Sequence, residues 1–303
     1  MLRVPTSPAE LRAPVLAWFA EHARDLPWRA PDRTPWGVLV SEVMLQQTPV
    51  VRVEPAWRAW MARWPTPADL AAAPTGDVLR AWDRLGYPRR ALRLQECARE
   101  VVARHGGSVP SSEPELLALP GVGAYTAAAV RAFAFGRRST VLDTNVRRVL
   151  ARTVAGQALP APTQTADEVR RADVYVPLDD AEAARWAAAS MELGALVCTA
   201  RAPRCDACPV VDRCAWYAAG RPPDEHAARR RPQGFAGTDR QVRGKVMALL
   251  REALGPVPAS AVDAVWPDAS QLARCIDGLL ADGLVARDAA SSDDDPPTYR
   301  LPH

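Results

Sequence analysis

Lysine is all but missing from this 303-residue chain. Lys245 is the single example, and arginine supplies the remaining Lys/Arg charge. That excludes a lysine nucleophile anywhere before residue 245. Long apolar runs are missing too: none approaches the ~18 residues that would read as a membrane span. The stretch Met1–Phe19 contains Pro5, Pro8 and Pro14 together with Glu10 and Arg12, so it lacks the unbroken apolar core of a secretory signal. Cysteine is not spread as a disulfide framework. Four of the six lie between Cys198 and Cys214, while Cys97 and Cys275 stand alone, a pattern that fits a reducing, cytoplasmic compartment. Strand-type alternation hardly occurs before residue 284, and no internal repeat is found. The net charge of +3 permits a nucleic-acid partner but does not argue for one.

What is present reads as a mainly α chain. Leu94, Ala98, Val101 and Val102 fall at helical spacing, as do Tyr125, Ala128, Ala129, Ala132 and Phe133. Trp186, Leu193 and Val197 repeat the pattern behind a capping-box-like start at Asp179 and Glu182. Residues 219–238, rich in Gly, Pro and Arg, read as a linker. Beyond it, two helical stripes precede Leu284-Val285-Ala286 and Thr298–Leu301, which flank a polar loop as a strand–loop–strand wing would. Residues 239–303 are therefore expected to form a small winged-helix-like domain. Arginines cluster at 89, 90 and 93, at 137 and 138, and at 147 and 148; each pair alone reads as a solvated helix face.

Three local patterns carry chemistry. The first is the cysteine spacing Cys198-x6-Cys205-x2-Cys208-x5-Cys214, which can converge four thiolates on one centre. Zinc sites usually use two C-x2-C knuckles; a single knuckle with outlying cysteines favours a larger iron–sulfur cluster, with zinc still open on spacing. The second is Leu119-Pro120-Gly121-Val122-Gly123 between two helical stretches. Gly121 and Gly123 permit positive φ, and the next helix start offers free N–H groups to a phosphate. A plain helix connection is the competing reading. The third is a carboxylate pair. Glu42 shares helical spacing with Val38, Leu39 and Leu45. On the apolar face its pKa would be raised; at a frayed edge it would be an ordinary surface glutamate. Asp143 opens the helix Thr144–Leu150 as an N-cap, which would hold its pKa down. One acid and one anion suit cleavage of a glycosidic bond.

These residues give the chain a resemblance, from about Val15 to Trp216, to the A/G-specific adenine DNA glycosylases (the MutY family) of the helix-hairpin-helix superfamily. The matching segments are Leu26–Arg29, Ser41–Thr48, Leu85-Gly86-Tyr87, Leu119–Gly123, Leu142–Val146 and the four cysteines in order. The resemblance implies a two-lobed helix-hairpin-helix glycosylase fold over residues 1–218, with a six-helix lobe at about 33–140 and a cluster lobe of 1–32 plus 141–218. It implies a [4Fe-4S] cluster on Cys198, Cys205, Cys208 and Cys214. It also implies a monomer acting on double-stranded DNA with A·8-oxoguanine or A·G mispairs, and no membrane partner. Glu42 would protonate adenine, Asp143 would stabilise the sugar cation, Asn145 would orient the carboxylates and Tyr125 would lie beside the sugar. Trp28, Arg29 and Glu192 would line the adenine pocket. Gln47, followed by Thr48, would wedge into the base stack; Leu85 and Tyr87 would face the opposite base; Gly121 and Gly123 would receive phosphate. Related bifunctional enzymes carry a lysine where Tyr125 stands, so the implied reaction is hydrolysis that leaves an abasic site without strand cleavage.

Two features depart from the family pattern. Pro88 follows Tyr87 where a second tyrosine is common. The usual C-terminal domain, related to nucleotide-pool hydrolases, is replaced by the short winged-helix-like unit. Two other functions compete: removal of thymine from G·T mispairs, and a non-catalytic iron–sulfur DNA-binding regulator.

Overall fold

The computed structural model describes residues 7–229, 234–288 and 297–303. Helices dominate, and many begin where a short polar side chain accepts a hydrogen bond from the first turn. Ser7 and Glu10 form a capping box on Pro8–His22, and Thr66 and Asp69 form another on Pro67–Ala72. Asp143 caps Thr144–Thr153, Asp179 caps Asp180–Leu196 and Asp268 caps Ala269–Ala281. Among the described residues, no helix is long and apolar enough to cross a membrane.

The chain divides into two compact units. The first comprises the described parts of Met1–Val38, Ser111–Leu117 and Val122–Arg231. Its core joins Leu11 and Val15 to Val149, Trp186, Ala189 and Leu193. Where the helices Thr144–Thr153 and Asp180–Leu196 meet, Gly194 allows close approach. A Cβ there would lie 2.6 Å from Asn145 Cβ and 2.9 Å from the Asn145 carbonyl oxygen.

The second unit comprises the described parts of Leu39–Pro110, Ala118–Gly121 and Pro232–His303. Trp60 packs edge-on against Trp64 and Trp82. The helix Arg89–His105 buries Leu94, Ala98 and Val101 as expected, but turns Val102 outward. Gln95 is buried on the same face because its amide is satisfied: Nε2 donates to the Ala73 carbonyl at 2.7 Å, and Oε1 accepts from Thr75 at 3.0 Å.

The C-terminal region of this unit contains the helices Asp239–Glu252, Ala259–Asp263 and Ala269–Ala281. A three-stranded antiparallel sheet accompanies them, with Thr298–Arg300 between Val257–Pro258 and Ala286–Asp288. Tyr299 pairs with Val257 on one side and Arg287 on the other. The expected strand pair forms, although its first strand begins at Ala286, after Leu284. The two-residue strand Val257–Pro258 is too short to show alternation in sequence. The polar loop at 289–296 and part of the linker, 230–233, lie outside the described residues.

The close approach at Gly194 gives a direct expectation. Gly194→Ala forces its methyl group into backbone and should lower unfolding free energy by about 1–3 kcal/mol. Gly244→Ala, with open space around its Cβ, should be neutral or slightly stabilising. Urea denaturation of both variants checks the contrast.

Candidate functional site

The four clustered cysteines line one cavity together with Val149, Leu193, Val197 and Trp216. None is in a disulfide. Among the described residues, no three Cys, His, Asp or Glu side chains are grouped as ligands of one metal ion. The thiols instead stand around a shared, largely apolar space. A soft donor set in that setting fits a polynuclear iron–sulfur group. Burial pushes the Cys208 thiol up to about 12, and burial also raises Cys214; the neighbouring thiols add to both shifts. Binding a cationic cluster must therefore displace protons from these sulfurs.

Arg152 and Arg148 tie this loop to the helix Thr144–Thr153. Arg152 is buried. Its guanidinium donates to the Thr199 carbonyl at 2.7 Å and to Cys198 Sγ at 3.3 Å, and lies 4.5 Å from the Trp216 ring centroid. Arg148 Nε donates to the Cys198 carbonyl at 2.6 Å. Its Nη2 donates to the Gly194 carbonyl at 2.7 Å and to Asn145 Oδ1 at 2.8 Å. Asn145 Nδ2 in turn donates to Asp143 Oδ2 at 2.7 Å. A continuous line of hydrogen bonds thus runs from the cysteine loop to Asp143. The bland reading of the Arg147–Arg148 pair as a solvated face does not hold: Arg148 is buried, and Arg147 forms a bidentate pair with Glu168.

Asp143 caps its helix as expected, with Oδ1 accepting from the Val146 N–H at 2.7 Å. Its pKa is nevertheless raised, not lowered. Burial of the carboxylate outweighs the hydrogen bonds from Val146 and Asn145 and the charge of Arg148. Counting cap donors from sequence therefore gave the wrong sign.

Glu192 lies on the helix Asp180–Leu196 and is fully buried. Oε1 accepts from the Arg24 N–H at 3.0 Å and from Arg24 Nε at 2.8 Å. Oε2 accepts from Arg24 Nη2 at 2.8 Å and Arg29 Nη2 at 3.1 Å. Burial alone would raise its pKa, but these bonds and the charge of Arg29 hold it at about 2. Trp28 is buried in the short turn Pro27–Arg29. Arg29 Nη1 is also buried and has no protein acceptor, so one donor beside Glu192 is left for a ligand. Tyr125 packs half-buried beside Ala129, Val141 and Ala187. Neither Arg24 nor Arg152 was singled out by sequence; nothing in a lone arginine's spacing marks it as buried.

In the second unit Glu42 is 4% exposed. The helix Pro35–Leu45 buries Val38, Leu39, Val40, Val43 and Met44, so burial extends all round Glu42 and is not confined to one stripe. Arg90 secures the end of this helix. Its Nη1 donates to the carbonyls of Val43 at 2.8 Å and Met44 at 2.9 Å, and its Nη2 donates to Thr48 Oγ1 at 3.0 Å and to the Leu85 carbonyl at 3.2 Å. Thr48 also donates to Leu85, so its visible role is to join the two segments. Gln47 and Tyr87 are exposed with positive φ, and Leu85 is buried. In the hairpin turn only Gly121 uses positive φ, at 78°, with its Cβ position 3.1 Å from Arg93. Gly123 is extended and opens Ala124–Phe135 without a side-chain cap, which leaves the helix N–H groups available.

Residues 40–172 match the HhH-GPD superfamily of base excision DNA repair proteins, and residues 198–214 match the iron–sulfur binding domain of endonuclease III. The adenine DNA glycosylase of Mycolicibacterium smegmatis is 51% identical over 284 residues, covering 93% of this chain and 94% of the relative. The chain is a member of the adenine DNA glycosylase family. The Mycobacterium tuberculosis H37Rv member is 52% identical, covering 90% of this chain and 89% of its own length. Coverage this wide takes in most of the C-terminal region, so that region is shared with these relatives. A solved thermostable thymine-DNA glycosylase superposes with a TM-score of 0.63 at 28% identity, covering 70% of this chain and 97% of that structure. The iron–sulfur match decides the metal question left open by spacing.

The raised pKa of Asp143 has a consequence for stability. The folded chain holds this proton more tightly than the unfolded chain, whose carboxyl titrates near the ordinary 3.8. Stability therefore falls as pH rises from 3.8 through the folded value, and stays lowered above it. Asp143→Asn should gain stability over the parent protein as pH rises toward neutrality, with the gain shrinking in acid. A pH series of denaturant unfolding curves checks this; a constant difference would contradict it.

Proposed function

We propose that this chain hydrolyses the N-glycosidic bond of adenine mispaired with 8-oxoguanine or guanine in double-stranded DNA. The observation that carries this reading is that a member of this family keeps both carboxylates in protected settings. Glu42 is sealed within a buried helix, and Asp143 is fixed at a helix N-terminus by Val146 and Asn145. Adenine flips out of the duplex, and Glu42 gives it a proton at N7. The base leaves with the bonding electron pair. Asp143 stabilises the resulting sugar cation, and Asn145 holds that carboxylate in orientation. Water adds to the anomeric carbon and gives up its proton, leaving an abasic site. Trp28, Arg29 and Glu192 receive the adenine, and the unpaired Arg29 Nη1 supports this placement.

Tyr125 stands where bifunctional relatives carry lysine, and the single lysine lies far along the chain, 4.9 Å from the Trp266 ring. The reaction is therefore monofunctional. The cluster is of the [4Fe-4S] type and structural, because four thiolates leave no open position for substrate. The helices and antiparallel sheet after residue 238 are those of a winged helix, the catalytic domain ends near residue 218, and residues 219–238 link the two.

The likeness to a thymine-DNA glycosylase favours thymine release from G·T as the alternative. Free-base release from duplexes with A opposite 8-oxoguanine, guanine or cytosine, and from G·T, separates the two. The reading predicts adenine release from the first two, with strand breaks only after alkali. Glu42→Gln should bind the mispaired duplex yet release base at least about 100-fold more slowly. Thymine release without adenine release, or nicking at the rate of base release, would overturn it.

A further inference from the structure

Arg152 brings a full positive charge into the interior of the first unit. It lies on the last turn of the helix Thr144–Thr153 and is 2% exposed. Its guanidinium meets neutral carbonyls and one sulfur. Nε donates to the Ala158 carbonyl at 2.8 Å and Nη2 to the Ala200 carbonyl at 3.1 Å. Nη1 donates to the Thr199 carbonyl at 2.7 Å and to Cys198 Sγ at 3.3 Å. Among the described residues Arg152 forms no ion pair. Arg148, one turn earlier, has the charge of Asp143 nearby. An isolated charge is costly to bury, and arginine does not shed its proton to escape that cost. A buried cation of this kind calls for an anion beside it.

The cysteine cavity supplies that anion once it is loaded. Four thiolates outweigh the positive charge of an iron–sulfur core, so the loaded site is net negative. The four sulfurs do not share the same surroundings. Cys208 receives the backbone N–H of Val210, and Cys214 receives those of Trp216 and Tyr217. Any sequence that makes these turns offers such donors. Cys198 instead receives a charged donor from a side chain, and a charge-assisted bond is roughly twice as strong as a neutral one. The Trp216 ring covers the guanidinium, with its centroid at 4.5 Å, and Trp216 is itself buried with Nε1 donating to the Pro222 carbonyl at 2.8 Å. Water is kept off the charge, which therefore acts on the sulfur through a medium of low dielectric.

A cation fixed against one thiolate favours whichever state of the site is more negative. Oxidation passes one electron from the cluster to an outside acceptor and leaves the site less negative, so Arg152 opposes it. We propose that Arg152 raises the reduction potential of the cluster and thereby guards a structural group against one-electron oxidants. It acts through Cys198 Sγ and is a positioning and tuning residue, not a catalytic one. The proposal rests on the reading of the four cysteines as the holders of a [4Fe-4S] cluster, and it is independent of which base the protein releases.

The test uses the full-length holoenzyme, with iron and sulfide content measured on each preparation. Voltammetry of a protein film, without DNA, reads the potential of the one-electron oxidation of loaded molecules only. Arg152→Gln keeps an N–H donor and removes the charge. It should weaken the preference for the more negative state by about tenfold, a shift of about 59 mV to lower potential for one electron. Arg152→Lys keeps the charge and should restore most of that shift. Ferricyanide, a one-electron acceptor, should oxidise the glutamine variant faster than the parent protein. Arg171→Ala removes an exposed cation that lines no part of the cavity and should change neither readout. A purely structural Arg152 would lower iron content in the glutamine and lysine variants alike and leave the potential of their loaded molecules unmoved. That result, or a shift to higher potential, would overturn the proposal. If the glutamine variant takes up no iron, Arg152→citrulline, which keeps the shape of the head group without its charge, decides on the same readout. A parent protein without iron and sulfide sinks the cluster reading itself, whereas a loaded parent and loaded variants of equal potential sink only the role of Arg152.

Discussion

The geometry around Asp143 depends on a single guanidinium. Arg148 spans the Cys198 carbonyl, the Gly194 carbonyl and Asn145 Oδ1, and Asn145 passes the constraint to Asp143. The planar fork of arginine can satisfy several acceptors in fixed directions, which lysine cannot. Gly194 makes the arrangement possible, because any side chain there would displace Asn145. Hydrogen bonds consequently join the cysteine loop, the helix bearing Glu192 and the helix capped by Asp143 within the first unit. An iron–sulfur group bound to the four cysteines would hold the loop whose Cys198 carbonyl accepts from Arg148.

A second arginine does similar work in the other unit. Arg90 collects the terminal carbonyls of the Glu42 helix and the Thr48 and Leu85 oxygens. Burial lowers its pKa to about 10, so it stays charged at neutral pH. In both units a buried carboxylate sits near a helix end fixed by an arginine that binds backbone oxygens. Burial that raises the Asp143 pKa costs stability, and the hydrogen bonds around it offset part of that cost. The near absence of lysine agrees with this dependence on forked donors.

Much of this was legible in the sequence because the signals are local. Asp143 and Asp179 mark helix starts directly, and the cysteine spacing marks a metal centre. The spacing around Glu42 left a buried and a surface position open, and its burial decides between them. What escaped were properties set by distant packing. Arginine pairs at 89–90 and 147–148 resembled surface charge, yet Arg90 and Arg148 are held by backbone carbonyls more than forty residues away in sequence. The cap bonds of Asp143 could be foreseen, but the burial that reverses their effect on its pKa could not. Val257–Pro258 was missed because two residues carry no period.

The central claim is that the cysteine loop positions Asp143 through Arg148 and Asn145. Single-turnover base release by Arg148→Lys at saturating duplex tests it most directly, with iron content and duplex affinity measured on the same preparation. Retained iron and affinity with a rate reduced about 100-fold is the result this account predicts, since small misplacement of a reacting group has effects of that order. A rate equal to that of the parent protein would contradict it.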